Sequence, residues 1–96
     1  MATTVVHVYK DRFDIYIGRA WVEYPDSIWG NPFHLGPHRD GNRKEVLAKY
    51  RAYVLSRPDL LARLPELKNR TLGCWCKPLA CHGDVLAELA DAISEP

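Results

Sequence analysis

Ninety-six residues with a formal net charge of +1, 47% of them apolar and 26% charged, describe one small globular domain, residues 1–96, with a real but modest core. The near-neutral balance excludes a chain that coats nucleic acid by charge alone, though it leaves room for a local basic patch. No apolar run approaches the ~20 residues that span a bilayer, and Met1–Thr4 lacks the basic start of a signal peptide, so a cytoplasmic protein with reduced thiols and no membrane contact is expected.

Val5–Tyr9 is rich in β-branched and aromatic residues and predicts a strand. Phe13–Ile17 alternates and predicts a second, ended by Gly18. The short polar break Lys10–Arg12 suggests that the two pair as an antiparallel hairpin. Residues 19–42 have no sustained period. Pro25, Gly30, Pro32, Gly36, Pro37 and Gly41 punctuate them, and Trp21, Tyr24, Trp29 and Phe33 stand between. A long aromatic loop of this kind is often functional.

Asn42 suits the N-cap of a helix over 43–55, with Val46, Leu47, Tyr50, Tyr53 and Val54 on its apolar face. Pro58 opens a short second helix over 59–67. Residues 71–76 predict the third strand and 82–93 the last helix, with Val85, Leu86, Leu89, Ala90 and Ile93 inward. The order β-β-loop-α-α-β-α gives a three-stranded sheet packed by helices, in the α/β or α+β class.

All three cysteines and one of the four histidines fall within the nine positions Cys74–His82. Cys74 and Cys76 share a face if the strand continues through them, and Cys81 and His82 stand where the last helix starts. Three thiols and an imidazole are a zinc donor set. An iron–sulfur cluster on Cys74, Cys76 and Cys81 is an alternative that lacks its fourth thiolate. A metal-free site is another: a helix N-terminus would activate the Cys81 thiol, with His82 or Asp84 carrying the proton. The cysteines can also be reduced core residues.

Three further groups point to an anionic ligand. Gly18-Arg19 ends a strand with a guanidinium that forks onto phosphate or carboxylate. Trp29-Gly30-Asn31-Pro32-Phe33 is a rigid aromatic turn, in which Trp29 and Phe33 offer stacking faces and Asn31 a side-chain amide. Arg43 opens a helix, where the dipole disfavours a cation and so calls for an anionic partner.

Tyr16-Ile17-Gly18-Arg19, Trp29-Gly30-Asn31-Pro32-Phe33, Arg43 with Tyr50, and Gly73-Cys74-Trp75-Cys76-Lys77-Pro78 followed by Cys81-His82-Gly83-Asp84 together resemble a family of small phage and bacterial proteins classified only as a domain of unknown function, DUF4326. The resemblance covers 5–89. It implies phage or bacterial origin and action inside a bacterial cell, without an established activity. Gly18, Arg19, Asn31, Cys74, Cys76, Cys81, His82, Gly83 and Asp84 match the family's motif positions.

The resulting expectation is a small protein holding zinc through Cys74, Cys76, Cys81 and His82. Gly18, Arg19, Trp29, Asn31 and Arg43 would line a pocket for a nucleotide-like anion or a nucleic-acid end. An open metal position would activate water with Asp84 as base. The alternatives are a metal-free enzyme with Cys81, His82 and Asp84 as its catalytic groups, or a phage-encoded module that binds a host protein through the loop from Trp21 to Phe33.

Overall fold

The computed structural model describes residues 2–93. Its strands are Thr4–His7 (β1), Ile15–Tyr16 (β2) and Thr71–Cys74 (β3), and its helices Arg43–Leu55 (α1), Pro58–Arg63 (α2) and His82–Asp91 (α3). This is the mixed α/β domain expected, with three helices on a three-stranded sheet.

The strand pairing differs from the expected hairpin. The order is β1-β3-β2 and every pair is parallel. Thr4 lies beside Thr71 and His7 beside Cys74, while Ile15 and Tyr16 lie on the other edge beside Leu72 and Gly73. Short strands permit this. From the level of Cys74 the chain must drop two residues and cross two strand spacings, roughly 12 Å in all, which seven linking residues span easily. The link carries Phe13 over Gly73, where an added Cβ would lie 2.6 Å from the ring. Gly73 therefore admits the crossing.

Alternation along β3 divides the layers. Leu72 and Cys74 enter the core beneath the helices, with Ile17, Tyr50, Val54, Leu60, Leu64, Leu67, Leu86 and Ala90. On the opposite face Phe13, Tyr16, Tyr24 and Trp75 form a continuous set of ring contacts.

Asn42 caps α1 as expected. Its Oδ1 accepts from the Glu45 amide at 2.9 Å, and its own amide donates to Glu45 Oε1 at 3.0 Å, a reciprocal box that satisfies two orphan donors. The second helix is shorter than 59–67. It ends at Arg63 and tightens into a 3-10 turn over Leu64–Glu66, because Pro65 has no N–H for the next helical bond. β3 stops at Cys74 rather than Cys76, and α3 at Asp91 rather than residue 93.

The loop 19–42 is mostly exposed and is anchored in the core by Trp29. Trp29 is 3% exposed, and its carbonyl accepts from the buried Tyr50 hydroxyl at 2.7 Å. Burial pushes the Tyr50 phenol far above its usual range, so it stays a neutral donor.

Candidate functional site

β2 and β3 both run out at the edge where α1 and α3 begin. A cavity of about 390 Å³ opens there, in the crevice beyond the carboxyl ends of parallel strands where α/β sheets commonly bind ligands. Its lining includes Gly18, Arg19 and Asn31 from the loop, Arg43 from α1, and Cys76, Cys81 and His82 from the motif region. These expected residues, far apart in sequence, are brought together.

Arg19 organises the loop. Its Nε donates to the Asn31 carbonyl and its Nη2 to the Phe33 carbonyl, both at 2.9 Å. Its Nη1 lies 3.2 Å from His34 Nδ1, which must accept because a guanidinium only donates. Asn31 Oδ1 accepts from the Phe33 amide at 2.9 Å and shapes the turn around Pro32. Arg43 Nη1 donates to the Ala80 carbonyl at 2.7 Å. The partner expected for this cation is thus a carbonyl and not a carboxylate. Among the described residues no ion pair neutralises either guanidinium, and the cavity lining contains no Asp or Glu.

Trp29 does not line the cavity, being held in the core. The indoles at the cavity are Trp21 and Trp75, whose rings lie 5.6 Å apart. The sequence points to Trp21 only as part of a surface for a host protein and to Trp75 only within the cysteine motif, and to neither as a wall of the ligand pocket. Their signal was the partition of aromatics between core and surface, which a loop without a period does not reveal.

Cys74 and Cys81 meet behind the cavity. Their sulfurs are 3.1 Å apart, with one S–H donating to the other sulfur. That hydrogen bond is the main reason why the Cys74 thiol falls to about 6 while Cys81 is pushed up. The pair titrates as one unit that releases its first proton easily and holds its second. Cys76 is half-buried beyond the strand end, where it packs against the edge of the core and lines the cavity.

His82 donates from Nε2 to the Ile17 carbonyl at 2.7 Å. Burial holds its imidazole below the usual range, and the Arg19 charge adds to this. It is therefore neutral, with its lone pair on Nδ1. Asp84 does not line the cavity. Its Oδ2 accepts from the Cys81 amide at 3.0 Å, and its Oδ1 from Lys77 Nζ, so it caps α3 and holds the Lys77 turn. Gly83 matches a motif position of the family that the sequence resembles. It brings α3 onto the sheet, since an added Cβ would lie 2.7 Å from both Ile17 Cδ1 and Val5 Cγ1. Gly83→Ala is expected to cost about 1–3 kcal/mol by overpacking, read from urea unfolding; an unchanged midpoint would refute that close approach.

Among the described residues no group of three or more His, Cys, Asp or Glu side chains is placed to hold a metal ion. Cys74 and Cys81 hydrogen-bond each other, whereas His82 donates from Nε2 to a carbonyl and keeps its Nδ1 lone pair. Cys74, Cys76, Cys81 and His82 are therefore not gathered here into a tetrahedral Cys3His donor set.

The family model described as Domain of unknown function (DUF4326) matches residues 4–92, the whole cavity lining included. The chain belongs to this family. One DUF4326 relative, "Uncharacterized protein R718" of Acanthamoeba polyphaga mimivirus, is 39% identical over 95 residues, covering 85% of this chain and 70% of its own length. Another, "Uncharacterized 12.4 kDa protein in nrdA-td intergenic region" of Enterobacteria phage T4, is 31% identical over 93 residues, covering 93% of this chain and 78% of its own. No solved structure matches the DUF4326 chain, and among its described residues no helix is long and apolar enough to cross a membrane.

Proposed function

We propose that this chain binds a nucleotide-like anion at the carboxyl end of its sheet. The observation that carries the reading is a cavity with two guanidiniums, Arg19 and Arg43, no carboxylate in its lining, and two indoles on its wall. Arg19 and Arg43 still have N–H groups beyond those given to carbonyls, and those groups meet phosphate. Trp21 and Trp75 meet the base, since stacking on aromatic faces tolerates any base.

Indole fluorescence reports binding directly. Titration with nucleoside monophosphates is expected to give saturable quenching that Arg43→Ala weakens roughly ten- to hundredfold, the range for one charge-assisted hydrogen bond. Arg43 is half-buried but lies outside the hydrophobic core, and its hydrogen bond is to the Ala80 carbonyl, so its removal is expected to leave the core in place. Absence of saturable quenching by any nucleoside mono-, di- or triphosphate up to roughly millimolar concentration would end the reading.

A thiol-dependent reaction on such a ligand is the second reading. Cys81 lines the cavity and shares a proton with Cys74; the pair carries its neutral-pH charge on Cys74 while Cys81 keeps the proton, so Cys81 attacks as a thiolate only once that proton is taken from it. Neutral His82 beside it offers a proton acceptor at Nδ1. Full activity of Cys81→Ser on an identified substrate would exclude it. Zinc rests on donor composition alone, and metal analysis of freshly purified protein decides it.

A further inference from the structure

We infer that the ligand is the end of a nucleic-acid single strand rather than a free mononucleotide; this rests on the reading of the cavity as a nucleotide site. The cavity, at about 390 Å³, lies at the small end of ligand sites and holds one nucleotide. The next base of a strand would leave by the wall that Trp75 forms.

That wall continues outside as rings. Trp75 meets Tyr9 edge-on at 5.0 Å and 86°, and His7 at 6.0 Å and 87°. Tyr9 is 62% exposed and Trp21 57%, an unusual amount of aromatic surface left to water on one strip. The platform is fixed. Trp75 Nε1 donates to the Tyr16 hydroxyl at 2.7 Å, and that hydroxyl donates to the Arg19 carbonyl, so the indole is tied to one of the two residues that carry the cavity's charge.

Charge chooses the occupant and its direction. The cations stand at the cavity, whereas Tyr9 donates to Glu23 at 3.4 Å, and a carboxylate there repels phosphate. The strip therefore takes a base face and the cavity takes the phosphate. Few phosphates are neutralised, so the interaction is an end contact and not a coating. Two neutralised phosphates on a single strand give a slope of log K against log salt of about −1.4.

The test compares thymidine monophosphate, a 5′-phosphorylated hexathymidylate and a blunt hexamer duplex by indole quenching. The hexathymidylate is expected to bind roughly tenfold tighter than the monophosphate, one stacked base's worth, and tighter than the duplex. Tyr9→Ala, at an exposed position, is expected to erase that advantage and leave monophosphate affinity unchanged. Equal affinity for monophosphate and hexamer, equal affinity for the duplex, or a hexamer advantage that survives Tyr9→Ala would overturn the inference while the mononucleotide reading stands. No binding of any of the three would remove both. A concentration-dependent dimer that Tyr9→Ala dissociates would assign the strip to a second copy of the chain and also overturn it.

Discussion

Trp29→Ala is expected to lower the unfolding free energy by about 3–5 kcal/mol, while Trp21→Ala changes it by no more than about 1 kcal/mol. The two indoles lie in the same loop, eight positions apart, yet one is 3% exposed and the other 57%. Losing Trp29 empties core volume against Tyr50 and disturbs the carbonyl that accepts the Tyr50 hydroxyl. Losing Trp21 removes a face of the cavity and one ring contact to Trp75. Ligand affinity should reverse the ranking, with Trp21→Ala roughly tenfold weaker and Trp29→Ala unchanged at temperatures where it remains folded. Urea unfolding of the two proteins checks the first half and indole quenching the second. A Trp29→Ala protein as stable as its parent would place that residue outside the core.

The thiol pair should make stability rise and then fall with pH. With Cys74 drawn down to about 6 and Cys81 pushed up, the folded pair holds one proton between about pH 6 and the ordinary thiol value near 8.5. The unfolded chain holds two there, so raising the pH favours the folded state. Above about 8.5 the unfolded chain releases both protons and the folded pair keeps one, so the sign reverses. Each limb approaches at most about 1.4 kcal/mol per pH unit. The Cys74 contribution is thus lost as pH falls through about 6. Urea midpoints across this range, measured against Cys74→Ala, isolate the effect. Removing Cys74 also removes the main cause that raises Cys81, so iodoacetamide should find Cys81 ionising nearer the ordinary thiol range in that variant. A midpoint profile that Cys74→Ala does not alter would mean that the two sulfurs are uncoupled.

Where a period existed, the chain was legible. The apolar positions Val46, Tyr50 and Val54 of α1 and Val85, Leu86 and Ala90 of α3 are the buried ones, and Asn42 is the cap that its sequence context implies. The sheet was harder. A three-residue polar break reads as a turn between neighbours, and nothing local says that residues 71–74 will later enter between β1 and β2. Only the match of Gly73 to the Phe13 ring records the crossing, and that is a long-range fact. At the site, Arg19, Asn31, Arg43, Cys76, Cys81 and His82 gather as expected. The coordination geometry did not follow, because the i, i+2 argument assumed a strand that continues to Cys76 and β3 stops at Cys74. Asp84 is close to Cys81 in sequence, as a base would be, but its carboxylate is taken up by the amide of Cys81 at the N-terminus of α3 and by Lys77.

The central place of the last strand has a consequence for biosynthesis. While the chain leaves the ribosome, β1 and β2 emerge first and find no neighbour to bond with. Only when residues 71–74 follow does either edge acquire its hydrogen bonds. Until then Val5, Val6, Ile15 and Ile17 lack their sheet partners, a non-local wait of the kind that slows folding. The nascent protein is thus most exposed to aggregation during the interval that ends with the synthesis of the cysteine-rich motif.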